Sequence, residues 1–399
     1  MPIDEFHPRF LTEQQSKEIA TRQILSFLFI GPTEPGGRRG KRGRAPSKAL
    51  FAYGKIPKER FTDARHLLDW RSRRIYDVDG VLLFWDQTLE LDKTNSLHVR
   101  VAASDLLRTP VWMVRAGETW NIDGLISKAV SVVETKPELE LVFAPGEKTP
   151  RLICYGYPNL GILCASRNQP NLRFVVDLFD LTFIPVARVE SDVAESVKIV
   201  WSPYDMVTRG TVAHFRSLSK READSLPPLP VSTQRVPSAI GLARLTIVEE
   251  LTTDPELVRE GQINNTFCAP ATARMILLQH QIDKSQALIA GIMGTSSQGT
   301  LPVNQANAIT SLTSNALVGS LDVTTSFSEA KEEIRQNRPF KTGGIAHARA
   351  CCGFRVDADG KEWLYIYDPL PANRGAIYFE NWLASYHCNY MYVRPNSYT

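Results

Sequence analysis

A cysteine at the start of a predicted helix is the first position in this chain where a side chain could do covalent chemistry. Cys268 precedes a segment whose apolar residues recur at helical spacing, namely Ala271, Met275, Leu278 and Ile282. Pro270 suits a first helical turn, where its missing N–H is not needed. The free N–H groups and dipole of a helix N-terminus stabilise a thiolate, the reactive form of cysteine. A cysteine near a helix start is more often a small core residue, so a prediction of nucleophilic chemistry depends on partner residues.

Three other side chains have the types that a nucleophilic cysteine needs. His347 lies in a predicted strand and could take the thiol proton as a general base. Asp368 ends the next predicted strand, so a hairpin would bring its carboxylate beside the imidazole and hold one tautomer. Gln262 lies six residues before the cysteine, where its amide and the cysteine backbone N–H could stabilise an oxyanion. Together the four residues predict attack on a carbonyl carbon.

The order and spacing of these residues resemble those of papain-like cysteine peptidases. The resemblance is to the compact bacterial branch related to bacteriocin-processing double-glycine peptidases and to papain-like effectors. The segments that carry it are QINNTFCAPATARM at 262–275, Arg338-Pro339 followed by His347-Ala348 and Gly353-Phe354, and LYIYDP at 364–369. The likeness covers roughly residues 240–399 and does not extend to the N-terminal part.

The resemblance implies a role for each of the four candidate residues. Cys268 would be the nucleophile, His347 the general base, Asp368 the orienting acid where papain has an asparagine, and Gln262 the oxyanion donor. It also implies a two-lobe domain with helices first and an antiparallel sheet second, a protein or peptide substrate, and no metal or organic cofactor. This sequence departs from the pattern at Ala269, where related enzymes often carry Trp or Gly. It also lacks the membrane and ATP-binding segments of bacteriocin exporters, which argues against that transport role.

Other side chains with chemical potential have simpler structural interpretations. Asn265 is the alternative oxyanion donor, but its shorter reach and its position favour loop structure. Cys351 and Cys352 are neighbours in a predicted strand, so they face opposite sides of it and at least one is expected in the core. The remaining positions are interpreted as structural: His280, His387 beside Cys388 without further metal ligands, and the turn residues Asp357 and Asp359.

The composition is that of a folded globular protein with ordinary charge. The chain has 399 residues, of which 43% are hydrophobic and 22% charged, and its length predicts two domains. Lys and Arg total 46 against 43 Asp and Glu, so no global charge favours nucleic acid or a membrane surface, and neither is an expected partner. No apolar run reaches the roughly 18 residues of a membrane span. Six cysteines without a CxxC pair argue against a disulfide scaffold and a zinc cage.

The N-terminus lacks the basic-then-apolar order of a signal peptide, so a cytoplasmic location is expected. Export by a dedicated secretion machinery would leave no trace that this reasoning detects.

We predict an α+β protein in four segments. Residues 1–50 form an N-terminal segment with a basic Gly/Pro/Arg loop at 31–48, 51–221 a β-rich domain, 222–238 a Pro-rich linker, and 239–399 the papain-like domain. The β-rich domain shows no constellation of chemical residues. It is expected either to dock a substrate or partner or to restrain the site.

Hydrophobic periodicity and turn residues predict the individual elements. In the N-terminal part we expect strands at 78–85, 139–143, 152–157, 172–186 and 196–201, and helices at 64–74 and 122–134. In the C-terminal part we expect helices from about 270, at 285–293, at 302–313 and from 326 to before 339, then strands at 345–356, 362–367, 375–379 and 390–394.

The sequence therefore predicts a cysteine peptidase acting through a Cys-His-Asp triad and a thioester intermediate. A deamidase or transamidase acting on a protein glutamine uses the same apparatus, and it differs in the substrate attacked or in the acceptor that reaches the acyl-enzyme. A catalytically inactive binding module is the alternative from another class. The joint occurrence of all four candidate residues argues against it, because a binding surface does not require them.

Overall fold

The computed structural model describes residues 10–28, 69–186, 200–204 and 247–396, apart from positions 108, 145, 201, 298, 345–346, 358–359 and 385–386. Within these ranges it contains six helices and sixteen strands. The strands form one sheet that is antiparallel except where the first strand contacts the sixth. This arrangement confirms the predicted α+β class.

The six helices begin and end at residues that explain their limits. They are α1 (Glu13–Leu28), α2 (Ile122–Glu134), α3 (Cys268–Gln279), α4 (Gln286–Met293), α5 (Pro302–Leu312) and α6 (Phe327–Arg335). The side chains of Asn121, Ser285 and Ser326 cap α2, α4 and α6 by accepting a first-turn backbone N–H. Gly294 ends α4 in the left-handed conformation, with φ of 64°.

The sixteen strands follow the chain as β1 (Arg71–Tyr76), β2 (Leu82–Glu90), β3 (Asn95–Ala102), β4 (Val111–Glu118), β5 (Leu139–Leu141), β6 (Leu152–Gly156), β7 (Asn159–Ser166), β8 (Arg173–Asp177), β9 (Phe183–Pro185), β10 (Ile247–Thr252), β11 (Leu317–Asp322), β12 (Phe340–Gly344), β13 (His347–Asp357), β14 (Glu362–Asp368), β15 (Ala376–Asn381) and β16 (Asn389–Pro395). Their order in the sheet is β11-β16-β12-β13-β14-β15-β4-β3-β2-β1-β6-β7-β8-β9. In addition, β10 pairs with β13 and β5 with β7.

The two halves of the chain share both the sheet and a hydrophobic core. C-terminal strand β15 pairs with N-terminal strand β4 through Phe379 opposite Val114 and Glu380 opposite Met113. One buried cluster includes residues of α1, β3 and α3, among them Ile24, Val99 and Met275. We call the elements up to β9 the N-terminal lobe and those from β10 onward the C-terminal lobe. The predicted division into domains stays a prediction, since the predicted linker at 222–238 lies outside the described residues.

Several N-terminal elements differ from the sequence predictions. The helix predicted at 64–74 is wrong over Arg71–Arg74, which belong to β1, because pairing with β2 buries Ile75 at the end of this strand. The strand predicted at 78–85 starts only at Leu82, since Asp77 accepts the N–H groups of two turn residues and Gly80 has φ of 87°. The run at 172–186 is two strands rather than one. Helix α1 and strands β1, β3, β4, β7, β10, β11 and β12 were not among the predicted elements.

Other predictions lie outside the described residues: the basic loop at 31–48 and most of the strand at 196–201. None of the helices in the described ranges has both the length and the apolar character needed to cross a bilayer.

Candidate active site

The loop before α3 places Cys268 as the first residue of that helix. The N-cap residue Phe267 makes no side-chain cap, and the Asn264 side chain instead accepts the backbone N–H of Thr266 in the preceding turn. The helix is fixed to β13 because the Thr272 hydroxyl donates to the Ala348 carbonyl at 3.1 Å. Cys268 is therefore held at the end of a buried helix and is only 1% exposed.

The Cys268 sulfur accepts a hydrogen bond from the sheet below it. The backbone N–H of Ala348 in β13 donates to Sγ at 3.3 Å. A backbone N–H interacts more favourably with a thiolate than with a neutral thiol, and the helix N-terminus acts in the same direction. The sulfur therefore lies between the N-terminus of α3 and the backbone of β13.

The structure brings His347 and Asp368 together as predicted. Nε2 of His347 lies 2.8 Å from Oδ1 of Asp368, and both side chains are buried. The antiparallel pairing of β13 with β14 produces this proximity, because the first residue of one strand lies near the last residue of the other. His347 also hydrogen-bonds to Cys268. Since Nε2 contacts the carboxylate, Nδ1 is the ring nitrogen left for the sulfur.

The charges of His347 and Asp368 stabilise each other. Burial disfavours the imidazolium, but the charge of Asp368 and the hydrogen bonds to Asp368 and Cys268 outweigh it and raise the pKa of His347 to about 10. Burial likewise acts against the Asp368 carboxylate, yet the charge and hydrogen bond of His347 hold its pKa below the usual value of 3.8. An imidazolium beside a carboxylate is the favoured state at neutral pH.

Two further donors fix the Asp368 carboxylate, and a buried ion pair lies behind them. The backbone N–H of Leu370 donates to Oδ1 at 2.8 Å, and the Tyr378 hydroxyl donates to Oδ2 at 2.7 Å. The Arg349 guanidinium donates to the same hydroxyl at 3.2 Å and to the Glu380 carboxylate at 2.6 Å. Both oxygens of Asp368 are therefore held in place.

Sequence reasoning missed Tyr378, Arg349 and Glu380. Each is a polar residue in a strand, and no sequence motif indicates that it contacts the site. Finding them requires the register of β13, β14 and β15, which the sequence does not supply.

Gln262 is tied to the corner that follows Asp368. Its backbone N–H donates to the Pro369 carbonyl at 3.0 Å, and its carbonyl accepts the Asn373 N–H at 2.8 Å. The side-chain Nε2 donates to the Asn264 carbonyl at 2.7 Å, and the side chain is buried. The amide keeps one N–H for another acceptor, which is what an oxyanion donor requires.

Asn265, the alternative oxyanion donor, directs its amide to the N-terminal lobe. Its Nδ2 donates to the Thr182 hydroxyl at 3.0 Å, and that hydroxyl donates in turn to Asp180. The turn between β8 and β9 is therefore attached to the loop that leads into Cys268. This contact between the lobes is another feature that the sequence did not indicate.

The other chemical side chains have structural surroundings. Cys351 and Cys352 are both buried and belong to different hydrophobic clusters on opposite faces of β13, and burial raises the pKa of Cys351 to about 12. His280 is the C-cap of α3. His387 stacks on Trp382 and contacts the Thr342 hydroxyl at 2.8 Å.

The two aspartates interpreted as turn residues, Asp357 and Asp359, differ in what the structure shows. Asp357 is buried and pairs with Arg355 at 2.5 Å, so it contributes to the core, whereas Asp359 lies outside the described residues. Among the residues that the structure describes, no three His, Cys, Asp or Glu side chains gather as a metal site would require.

Residues 256–393 match the model of the Peptidase_C39 like family. The matched segment contains Cys268, Gln262, His347 and Asp368. The match confirms the resemblance to papain-like cysteine peptidases predicted for the C-terminal part of the chain. It covers about a third of the chain and leaves the N-terminal lobe outside it. No curated protein matches the sequence.

Three solved structures are similar to part of the chain. The peptidase domain of Streptococcus ComA, a bifunctional ABC transporter involved in a quorum-sensing pathway, is 16% identical over 34% of this chain and 97% of that chain, with a TM-score of 0.27. A double-glycine motif protease from an AMS/PCAT transporter, in complex with the leader peptide, is 16% identical over 37% and 99%, with a TM-score of 0.27. UfSP from C. elegans is 16% identical over 37% and 34%, with a TM-score of 0.29.

Proposed function

We propose that the chain is a cysteine peptidase that cleaves peptide bonds of a protein or peptide substrate through Cys268, His347 and Asp368. The observation that carries the proposal is the continuous set of contacts from the sulfur to the imidazole to the carboxylate, at the first turn of a buried helix. The family match over residues 256–393 supports the same class of chemistry.

The geometry suits an acyl-transfer mechanism in two halves. Cys268 and His347 rest as an ion pair with the proton on the imidazole, and the thiolate attacks the carbonyl carbon as the carbonyl π electrons move to oxygen. The amide of Gln262 and the backbone N–H of Cys268 hold the oxyanion. His347 then gives its proton to the leaving amine as the C–N bond breaks, which leaves a thioester.

Water completes the cycle. His347 accepts a proton from water as the water oxygen attacks the thioester carbon, and the C–S bond breaks to release the acid and the thiolate. Asp368 keeps the imidazole in one tautomer and stabilises its charged form, as an orienting acid does in related triads.

The decisive experiment compares Cys268→Ala with Cys388→Ala, which changes an exposed cysteine. Each protein is incubated with a peptide library derived from a cell proteome, and new termini are identified by mass spectrometry. We expect the wild type and Cys388→Ala to cleave, and Cys268→Ala to be inactive with an unchanged fold. Normal cleavage by Cys268→Ala contradicts the mechanism.

The same experiment separates the alternatives. A gain of about one dalton at glutamine without chain cleavage identifies a deamidase that uses the same acyl-enzyme. A thiol probe that labels Cys268 no faster than the buried Cys351 favours an inactive binding module.

We place the reaction in the cytoplasm. All six cysteines are free and five of them are buried, as expected in a reducing compartment. Fractionation of cells that express the tagged chain tests this location, and recovery outside the cytoplasmic fraction contradicts it.

A further inference from the structure

The junction between the two lobes opens into a cleft. Strands β15 and β4 pair at Phe379 with Val114 and at Glu380 with Met113, and the pairing of these two strands ends there. Residues 376–378 and 115–118 continue toward the active-site end of the sheet without pairing to each other. A cleft of about 210 Å³ lies among them and is also lined by Arg259 and Arg374.

The charged lining of this cleft is mostly basic. Arg115, Arg259 and Arg374 come from three separate segments, and Glu118 is the one acidic residue that lines it. Arginine is the side chain that best recognises carboxylates, because its planar fork donates two parallel hydrogen bonds. The balance of three arginines against one glutamate favours an anionic ligand.

The arginines are partly preorganised and partly accessible. The Arg115 guanidinium stacks 3.9 Å from the Trp120 ring and donates to the Glu118 carbonyl at 3.2 Å. Arg374 pairs with the Glu118 carboxylate, and the two side chains are 38% and 58% exposed. An ion pair this exposed contributes little free energy, so little is lost when Arg374 leaves Glu118 and binds a ligand carboxylate. Arg259 is exposed.

The cleft lies close to the proposed catalytic residues. Tyr378 lines it and donates to Asp368, and Gly261 beside Gln262 packs directly on the backbone of Arg374. From β13, which carries His347, to β15 is two strand spacings, about 10 Å. An extended peptide advances about 3.3 Å per residue, so the cleft is about three to four residues from the scissile bond.

We propose that this cleft is a substrate subsite that binds an acidic side chain three to four residues from the cleaved peptide bond. Arg259 and Arg374 are the specificity-determining residues, and Arg115 supplies a fixed positive charge at the rear of the cleft. The N-terminal lobe thereby takes part in substrate selection, because β4 forms one wall. This proposal rests on the proposed peptidase function and adds the chemistry of the substrate.

Cleavage of the proteome-derived peptide library tests the subsite. We expect the cleavage sites of the wild type to be enriched in Asp or Glu at one position three to four residues from the cleaved bond. The double variant Arg259→Gln/Arg374→Gln should cleave without this enrichment. Arg71→Gln, which removes an exposed arginine of β1, is the matched control and should keep the enrichment.

A pair of synthetic peptides then gives the magnitude. One carries the enriched acid, the other carries the corresponding amide, and both have amidated C-termini so that only the side chain is tested. The wild type should prefer the acid about tenfold, mainly through KM, as one charge-assisted contact predicts. Glu118→Gln should strengthen the preference and the double arginine variant should abolish it. If the two amidated peptides are cleaved equally and a free C-terminal carboxylate speeds cleavage of both, the cleft binds a terminal carboxylate and the side-chain proposal is wrong.

Failures of the two proposals are distinguishable. Cleavage that depends on Cys268 but shows no acidic preference overturns the subsite alone, as does a preference that survives in the double variant. Absence of any cleavage by the wild type overturns the peptidase function and the subsite with it.

Discussion

The Tyr378 hydroxyl donates a 2.7 Å hydrogen bond to Oδ2 of Asp368, the oxygen that His347 does not contact. Behind it, the buried pair of Arg349 and Glu380 fixes the tyrosine in turn. The candidate orienting acid therefore does not stand alone at the end of β14. It is held from behind by residues of the two neighbouring strands.

Tyr378→Phe should lower kcat about tenfold with little change in KM, since loss of the hydroxyl loosens an orienting group while the ring still lines the cleft. Loss of a donor to the carboxylate destabilises its charged form and raises the pKa of Asp368. The acidic limb of the kcat/KM profile should therefore move to higher pH. Steady-state kinetics across pH measure both effects.

Tyr367→Phe is the matched control for this change. It removes another tyrosine hydroxyl from a carboxylate, that of Glu256 at 3.1 Å, outside the candidate triad. Its pH profile should match that of the wild type. Identical profiles for all three proteins would show that Tyr378 serves packing alone.

The His347–Asp368 pair should make stability depend on pH in a defined window. The folded pKa of His347, about 10, lies above its usual value of 6.5, so the stabilisation is complete below pH 6.5 and is lost as pH rises to about 10. In the Asp368→Asn variant, His347 is buried without the Asp368 charge, which lowers its pKa. The loss of stability between pH 6.5 and 10 should therefore disappear. The midpoint temperature of thermal unfolding should fall more steeply between pH 6.5 and 10 for the wild type than for Asp368→Asn. Parallel curves would contradict the coupling.

Gly261→Ala should reduce kcat/KM about tenfold to a hundredfold, because an added Cβ would overlap the backbone of Arg374 and displace the loop that carries Gln262. Gly291→Ala is a useful contrast, since no atom lies within 4 Å of the added carbon in α4. That variant should stay active and gain about 0.5–1 kcal/mol of stability. Equal activity of the two variants would argue against the loop as part of the site.

Phe27→Ala should destabilise the protein by about 3–5 kcal/mol. The ring of Phe27 in α1 is buried, and its centroid lies 5.3 Å from that of Trp363 and 5.2 Å from that of Phe379. Urea unfolding measures the change, and Phe10→Ala, at a position 45% exposed, should have a far smaller effect. A small effect of Phe27→Ala would mean that α1 is not integral to the C-terminal core.

Local signals explain why most C-terminal elements could be predicted to within a few residues, although strands β10, β11 and β12 were missed. Ser285 and Gly294 bound α4, and Ser326 caps the helix that starts at Phe327, as their side chains and backbone preferences require. Cys268, His347 and Asp368 could be singled out because their types match one chemistry and their positions fall at element ends. The structure brings these side chains together, while their catalytic roles stay predictions.

The features that could not be predicted depend on pairing between distant segments. Arg71–Arg74 have helical preferences, yet pairing with β2 decides their conformation. The contact between Thr182 and Asn265 joins residues 83 positions apart, and the approach of β4 to β15 spans more than 250. Neither leaves a pattern in a local window of sequence.

The pairing of β15 with β4 at Phe379 and Val114 has a practical consequence for the choice of fragments of this protein. A fragment that starts at residue 239 would lose β4 and expose the edge of β15. The unpaired backbone groups of β15 would then form hydrogen bonds with another molecule. Such a fragment should form mixed oligomers at working concentrations. Recombinant work on the thiol chemistry therefore needs both lobes.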